Sequence, residues 1–387
     1  MVDTRQGEIE ATPITKSVEA YLEMLEEMID GEHQEAVEVR QIKSFRYEAI
    51  DHIPVMVTLR DDVSHQTFGN SEWPTFFWQE QMDNYDYMLL NELSPVYESA
   101  LLKDDKCFSI RPNLGQCFIP SFFGCEPDIS DAQLDSMPWI MRDEAKHNKN
   151  LIKGLIDKGV PGLECKLMST YTEIVDCWRE RLADYPKLQR FCHISLPDVQ
   201  GPFNLAFHLR NVDLYMDIID EPQFVHDLMD MMTETFIKVS TYCKTITGEP
   251  MDESYYWNWH MDGGVRNVDD NSVLLGPDEY HEFVLPYNNK AFAPFGGGAH
   301  HSCGQLDHLY EELFAIEKVK GIHFGNPEFQ DFKKAWTLLQ EKKICVLWDE
   351  KLAPEFRDQV KTGIVVKEVC ASLDEARACL EDYRKGW

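Results

Sequence analysis

A histidine and a cysteine two residues apart are the strongest candidates for chemistry in this sequence. His301 and Cys303 follow three glycines, Gly296–Gly298, and precede a predicted helix over Asp307–Ile316. On an extended backbone, side chains two positions apart leave from one face, so the imidazole and the thiolate can converge on one ion. On a helix they would diverge by about 200°. The pair predicts a zinc site at a strand end; the alternative is a glycine-rich strand end with an incidentally polar tip.

A catalytic zinc site needs a third protein ligand and one open position. Cys370 is our candidate for this ligand, because it follows the predicted strand Ile364–Val369 and precedes Ser372, which begins a helix-capping pattern. Cys345 is the rival, although its apolar neighbours favour a place in the core of a strand. For Cys370, the alternative of a small side chain packed beneath a helix remains open.

Further polar candidates lie in and after the segment Tyr255–Asp262. If this segment is extended, Asn258 and His260 share one face, and the interleaved aromatic side chains share the other. We therefore predict that His260 faces a pocket, with a hydrogen-bonded structural tether as the alternative. Asp269 and its neighbour Asp270 either cap a helix or orient a ligand histidine from behind.

The elements that position these residues are short β-rich runs that alternate with longer helical patterns. Helices are predicted over 222–243 and 372–383, besides the one after Cys303. The predicted strands are Ile53–Leu59, Cys107–Arg111, Cys192–Leu196, Tyr255–His260, Phe292–Phe295, Gly321–Phe324, Ile344–Trp348 and Ile364–Val369. About eight strands alternating with helices predict an α/β fold, a single TIM-type (β/α)8 barrel. The carboxyl-terminal ends of the barrel strands would then carry His301, Cys303 and the other candidate site residues.

The N-terminal part of the chain has a different character. Residues 1–44 are predicted to form an acidic helical extension, an amphipathic helix interrupted near Gly31. Residues 45–387 are then assigned to one barrel domain, because the sequence has no internal repeat and no low-complexity linker.

Charge and cysteine usage limit the partners and the compartment. With 68 acidic and 37 basic residues the net charge is −31, which disfavours nucleic acid and anionic membranes as partners. The 11 cysteines are scattered without a CxxC pair, which favours reduced thiols and a cytoplasmic location. Residues 1–10 do not resemble a signal peptide, and no apolar run reaches the ~20 residues of a membrane span.

Several segments, taken in order, resemble the uroporphyrinogen decarboxylase superfamily. They are Arg46–Val55, Pro197–Phe207, Leu275–Tyr287 and His301–Gly304, and they extend over most of residues 45–370. The resemblance implies a TIM-type barrel, as the alternation of strands and helices does.

The superfamily contains two functional branches, and the residues favour one of them. The decarboxylases bind a polycarboxylate tetrapyrrole through an arginine-rich loop and use no metal. The corresponding stretch, residues 55–64, offers only Arg60 beside Asp61 and Asp62. An acidic mouth repels such a substrate.

The other branch consists of zinc methyltransferases that exchange a methyl group with a corrinoid on a separate protein. His301 and Cys303 match their His-x-Cys pair. Cys370 would correspond to their distant cysteine, although it follows the pair at a shorter interval than is usual in that branch. Asp198, His260 and Asp269 are further candidates for the catalytic site.

The resemblance implies Zn²⁺ and methylcobalamin or another corrinoid, the latter supplied by a corrinoid-binding partner protein. The methyl group would move to or from a small-molecule substrate, such as a thiol or a methoxylated compound, and a homo-oligomer is compatible with this function. The alternatives are a metal-independent decarboxylase and a non-catalytic barrel that binds the corrinoid protein.

Overall fold

The structure, a computed structural model, describes residues 13–59, 73–128, 140, 147–357 and 359–385. Arg60, Asp61 and Asp62, on which the prediction of an acidic mouth rests, lie outside these residues. The strands are β1 (Val55–Leu59), β2 (Ser109–Ile110), β3 (His193–Ile194), β4 (Glu253–Tyr256), β5 (Trp259–Asp262), β6 (Val265–Val268), β7 (Gly298–Ser302), β8 (Val319–Phe324), β9 (Cys345–Trp348) and β10 (Ile364–Cys370).

The α-helices alternate with these strands along the chain. They are α1 (Val18–Met28), α2 (Gly31–Phe45), α3 (Trp78–Asp83), α4 (Tyr85–Leu102), α5 (Lys149–Lys158), α6 (Lys166–Leu182), α7 (Pro186–Phe191), α8 (Pro202–Arg210), α9 (Asp213–Asp220), α10 (Pro222–Thr247), α11 (Pro277–Phe283), α12 (Leu285–Phe292), α13 (Tyr310–Leu313), α14 (Phe332–Lys342), α15 (Pro354–Arg357) and α16 (Leu373–Arg384). Within the described residues, no helix is long and apolar enough to cross a membrane.

Six of the strands form one parallel sheet in the order β1-β10-β9-β8-β7-β6, and β2 and β3 form a separate parallel pair. This arrangement is mixed α/β and consistent with a TIM-like fold. Over the described ranges the strand ladders do not close into one continuous ring. Single backbone hydrogen bonds lie at the two gaps: Asp105 N–H donates to Val55 O over 2.9 Å, and Gly201 N–H donates to Val268 O over 2.8 Å.

The sheet register decides which side chains face the interior. His301 on β7 is paired with His323 on β8, which is paired with Leu347 on β9. Because paired residues of parallel strands point to the same side, they share one face. The buried cluster on this inner face consists of Phe45, Met56, Tyr256, Trp259, Met261, Ala299, Cys345, Leu347 and Val365. The alternate positions pack outward against the helices in the large outer core.

The N-terminal helices pack against the rest of the molecule. The sequence predicts an interruption near Gly31, and α1 ends at Met28 while α2 begins at Gly31. Ser44 of α2 donates a hydrogen bond to Ile364 O and accepts one from Ile364 N–H, at the start of β10. The helix α2 therefore sits at the amino-terminal end of the sheet, opposite the strand ends that carry the site.

The predicted strand Tyr255–His260 is corrected to a hairpin. Strands β4 and β5 pair antiparallel, and the two turn residues, Trp257 and Asn258, have φ values of 52° and 65°. Positive φ at both central residues is typical of the tight turns that join antiparallel strands. Trp259 joins the inner cluster, so the hairpin fills part of the space enclosed by the sheet.

Other predicted elements also differ from the structure, and the strands predicted over Cys107–Arg111 and Cys192–Leu196 shorten to β2 and β3. Residues 292–295 end α12 and form a 3-10 turn rather than a strand, and the strand lies after the glycines, at Gly298–Ser302. Gly297 and Gly298 explain this shift, since a Cβ on either would lie 2.4 Å or less from a backbone oxygen. Strand β6 is not among the predicted strands. The helix predicted over Asp307–Ile316 shortens to α13.

Candidate metal centre

Three side chains from two adjacent strand ends meet at the carboxyl-terminal edge of the sheet. His301 lies on β7, Cys303 follows that strand, and Asp270 begins the 3-10 helix after β6. Cys303 Sγ lies 3.4 Å from His301 Nε2, and Asp270 Oδ1 lies 3.4 Å from the same nitrogen. The three possible ligand atoms all lie within 4.8 Å of one another. The structure therefore brings His301 and Cys303 together and adds Asp270.

The local backbone holds this arrangement. Asp269 N–H donates to His301 O over 3.1 Å, which continues the β6–β7 ladder to the point where the chain turns. One residue later, Asp270 Oδ1 accepts a hydrogen bond of 2.8 Å from Cys303 N–H. The carboxylate is thus tied to the backbone of the residue whose thiol it approaches.

The spacing of these atoms fits a tetrahedral ion. Zinc–ligand bonds of roughly 2.0–2.3 Å at tetrahedral angles place neighbouring nitrogen, oxygen and sulfur ligand atoms about 3.3–3.7 Å apart. Both distances to His301 Nε2 are 3.4 Å. Gly325 keeps the space beside them open, because a Cβ there would lie 2.5 Å from Cys303 Sγ and 2.8 Å from His301 Cε1. A nitrogen, a sulfur and an oxygen ligand therefore fit zinc, with one position left for a further ligand.

Burial sets the protonation of these groups. It holds the pKa of His301 well below its usual range, and the Arg266 charge adds to this effect, so the ring is neutral and can act as a ligand. Burial raises the pKa of Cys303 to about 12, and the Asp270 carboxylate contributes. A thiol with this pKa is protonated at neutral pH unless a cation binds it, because a metal ion favours the thiolate.

A line of inward-facing side chains supports His301 from the next three strands. His301 Nδ1 and His323 Nδ1 are 2.8 Å apart, and His323 Nε2 lies 3.2 Å from Asp349 Oδ2. Lys367 on β10 donates to the same Asp349 oxygen over 2.9 Å. Burial alone would raise the pKa of Asp349, but His323 and Lys367 outweigh it and lower the pKa. His323 therefore stands directly behind His301, and the Asp349 carboxylate, whose charged form Lys367 favours, stands behind His323.

A cavity of about 360 Å³ lies beside this line. Lys367 and the hairpin residue Trp257 both border it, together with Lys106, Arg111 and Glu98. The Trp257 ring lies edge-on to the rings of His301 and His323, with centroids 6.0 Å and 5.9 Å away. A small molecule in the cavity would therefore approach the metal centre across Trp257.

Asp198 lies in a buried cluster of polar residues next to this cavity. Tyr256 Oη donates to Asp198 Oδ1 over 3.1 Å, and Arg111 Nη1 donates to Tyr256 Oη over 2.7 Å. The Arg266 guanidinium lies 3.7 Å from the Trp257 ring centroid. The structure thus places Asp198 near the site, as a partner of Tyr256 rather than of His301, Cys303 or Asp270.

Asp269 has a different position from its neighbour. Its carboxylate accepts hydrogen bonds of 3.1 Å from the backbone N–H groups of Phe203 and Asn204, at the start of α8. Gly201 lies so close that a Cβ there would be 2.4 Å from Asp269 Oδ1. Asp269 therefore anchors the amino terminus of α8, which is the capping alternative that the sequence left open, and Asp270 faces His301.

His260 does not join the metal centre. Its Nε2 lies 3.2 Å from Glu253 Oε2, its Nδ1 lies 3.3 Å from Glu38 O, and its ring stacks on Tyr255. These contacts hold the hairpin against α2. His260 is therefore placed as a hydrogen-bonded structural tether, the alternative given from the sequence. Glu38 also belongs to a second Glu–Cys–His group, with Cys107 and His193. In that group Glu38 already forms ion pairs with His193, over 3.1 Å, and with Arg190, over 3.2 Å.

The structure does not bring Cys370 to the His301–Cys303 pair. Positions 365 and 367 of β10 face inward, so with a period of two Cys370 faces outward. It packs in the outer core, where a hydrogen bond with the Cys379 thiol of α16 lowers its pKa. The rival Cys345 does face inward, but it lies in the apolar inner cluster, and burial raises its pKa well above the usual range. The third side chain grouped with His301 and Cys303 is Asp270 instead.

Two residues beside His301 were not identified as such from the sequence. Asp270 was considered only as a helix cap or as a group behind a ligand histidine, and His323 was not singled out. Asp270 stands at the end of a short strand, two positions beyond Val268, which is paired with His301. His323 is paired with His301 through the register of β7 and β8, and it lies inside a strand that was predicted from the sequence. Finding either required the strand register, which the spacing within one strand does not supply.

Comparison with known proteins supports the fold. The chain is similar to the solved structure of a methyltransferase from Methanosarcina mazei, with a TM-score of 0.58 and 15% sequence identity. The match covers 90% of this chain and 98% of the other. No protein-family model matches the sequence, and no curated protein does. At this identity the likeness shows a shared fold.

Proposed function

We propose that this chain is a zinc-dependent methyltransferase that moves a methyl group between a small-molecule substrate and a corrinoid carried by a partner protein. The observation that carries the proposal is the convergence of Asp270, His301 and Cys303, with mutual spacings that suit a zinc ion. The fold shared with a methyltransferase supports it. The proposal includes the closed eight-stranded barrel, made from the six-stranded sheet and the pair β2–β3.

Each ligand has a defined task in this proposal. His301 would bind zinc through Nε2, with its proton on Nδ1 facing His323. Cys303 and Asp270 would supply two negative charges, which neutralise the dication formally. When bound, zinc would favour the thiolate of a substrate thiol or polarise a methyl-bearing leaving group.

The surrounding residues control access and orientation. Trp257 separates the metal centre from the cavity and presents an aromatic face to a bound substrate. Asp349, ionised and paired with Lys367, keeps His323 oriented toward His301. The corrinoid partner would approach from the carboxyl-terminal edge of the sheet, where Cys303 and Asp270 lie, because this edge carries the sites of barrel enzymes.

The test is methyl transfer from free methylcobalamin to small thiols, followed by the change in the cobalamin absorption spectrum. We expect turnover by the wild-type protein, and its loss in Cys303→Ser. Cys370→Ser is the matched control, since this thiol faces the outer core, and we expect it to retain activity. A wild-type protein that contains zinc and binds a corrinoid protein, yet turns over no thiol or methoxylated compound, would support a binding barrel instead.

A further inference from the structure

A second group of possible metal ligands lies at the amino-terminal end of the sheet, opposite the candidate metal centre. Glu38 lies on α2, Cys107 lies two residues before β2, and His193 begins β3. The ligand atoms of these three side chains all lie within 4.8 Å of one another. They supply an oxygen, a sulfur and a nitrogen, the same donor types as the candidate metal centre.

The strand register brings the cysteine and the histidine to one face. His193 is paired with Ser109 in the parallel ladder of β2 and β3, so the two side chains point to the same side. Cys107 precedes Ser109 by two positions, and an extended backbone gives it that side as well. The ladder reaches this point, because His193 N–H donates to Phe108 O over 3.0 Å. The helix α2 brings Glu38 to the same place.

The histidine and the carboxylate are already oriented for a shared ion. The His193 ring stacks on the Tyr255 ring, with centroids 3.5 Å apart, and its Nε2 lies 3.1 Å from Glu38 Oε1. Neighbouring nitrogen and oxygen ligands of a tetrahedral zinc ion lie about 3.3 Å apart. Arg190 contacts the other carboxylate oxygen, Oε2, over 3.2 Å. It can therefore keep this contact while Oε1 binds an ion.

The thiol closes the inner side of the group. Cys107 is 0% exposed and belongs to a small buried cluster with Val37 and Tyr255. The side chains of Glu38 and His193 are 12% and 22% exposed. An ion would thus enter from solvent between the carboxylate and the imidazole and meet the thiol at the buried end. A fourth position stays open toward the solvent.

The geometry points to Glu38, Cys107 and His193 as a second zinc-binding site, which ties α2 to the amino-terminal ends of β2 and β3. A nitrogen, a sulfur and an oxygen ligand suit zinc. On binding, the thiol releases its proton to solvent, and the contact between Glu38 and His193 is replaced by bonds to the ion. Without zinc these two side chains pair with each other, and both are open to water. The ion therefore exchanges: it binds when zinc is supplied and is lost during purification.

The experiment is a zinc titration of the full-length wild type in competition with a chromophoric chelator. We expect a second equivalent, bound at least about tenfold more weakly in His193→Phe, because even losing a group behind a ligand costs about 10–100-fold. This variant keeps a ring against Tyr255 and removes the ligand nitrogen. Cys107→Ser should act alike and serves if the first variant does not fold. With Co²⁺ as the probe, the second equivalent should add a thiolate-to-metal charge-transfer absorption.

His260→Phe is the matched control, because His260 also stacks on Tyr255, with centroids 4.4 Å apart, and is not one of the three ligands. It should bind the second equivalent within about twofold of the wild type. A wild type that takes up no second equivalent in excess zinc would overturn the inference. So would a second equivalent that persists in folded His193→Phe and Cys107→Ser, since surface carboxylates would then hold it adventitiously.

The variant His301→Ala separates this site from the candidate metal centre, and the inference does not depend on the proposed function. Added zinc should raise the melting temperature of His301→Ala, because an ion that binds only the folded state stabilises it. The rise should vanish when His193→Phe is added. A His301→Ala protein that zinc does not stabilise would contradict the second site, whereas a wild type without methyl transfer would contradict only the proposed function.

Discussion

Replacing His323 by leucine should weaken zinc binding without touching a ligand. When His301 Nε2 binds a metal, the proton of the ring must be on Nδ1, where His323 Nδ1 accepts it over 2.8 Å. In His323→Leu this N–H remains buried with no acceptor. Without metal, the ring can move its proton to Nε2, which faces Asp270 and Cys303. The penalty therefore falls mainly on the metal-bound state.

The size of the effect follows from that single group. Leaving a buried donor unsatisfied costs about 1–3 kcal/mol. Loss of a partner behind a metal-binding histidine usually lowers metal affinity about 10–100-fold. At 1.4 kcal/mol for each factor of ten, the two ranges agree at roughly 1.4–2.8 kcal/mol.

The assay is competition for zinc against a chromophoric chelator, with thermal unfolding as a check on the fold. His300→Leu is the matched control, because His300 is the adjacent buried histidine and points outward to Asn267 Oδ1, 2.9 Å away. It should lower stability and leave zinc affinity within about twofold of the wild type. Folded His323→Leu that binds zinc as tightly as the wild type, or His300→Leu that weakens zinc binding equally, would contradict this role of His323.

Three further predictions concern space, charge and the hairpin. Gly325→Ala should weaken zinc binding at least about tenfold, because the new Cβ would lie 2.5 Å from Cys303 Sγ. Competition against a chelator measures the zinc affinity. The control is Gly154→Ala, whose new Cβ meets no atom within 4 Å and should leave the zinc affinity unchanged. Burial raises the pKa of Glu98 to about 7 from an ordinary 4.5, so the wild type loses stability as pH rises through this range. The free energy of unfolding of Glu98→Gln, measured in denaturant, should therefore rise relative to that of the wild type by about 3 kcal/mol as the pH increases from 4.5 to 8. A difference between the two proteins that does not change with pH would contradict this. His260→Phe should lower the melting temperature with zinc content unchanged, and loss of zinc would contradict the tether role.

Much of the architecture follows from patterns that are local in sequence. Strands such as Ile364–Cys370 begin with a run of β-branched residues, and long helices such as α10 show a regular apolar face, so both were predicted near their observed positions. The pair His301 and Cys303 could be identified because a period of two acts within one strand. The hairpin was missed because Trp257 and Asn258 adopt positive φ without the glycine that usually signals such a turn.

The rest of the site depends on contacts between strands. Cys370 was chosen because it ends a strand, but strand position alone does not say which face a residue occupies. Its parity with Ile364 and Val366 places it in the outer core. Asp270 and His323 reach His301 only through the registers of β6, β7 and β8, which no pattern within a single segment specifies.

The most direct measurement is zinc per chain in protein purified without chelators, for the wild type beside His301→Ala, Cys303→Ser and Cys370→Ser. We expect near-stoichiometric zinc in the wild type and in Cys370→Ser, and loss of zinc in the other two variants. A wild type without zinc would contradict the central claim. So would zinc that survives in folded His301→Ala and Cys303→Ser, since the metal would then lie elsewhere.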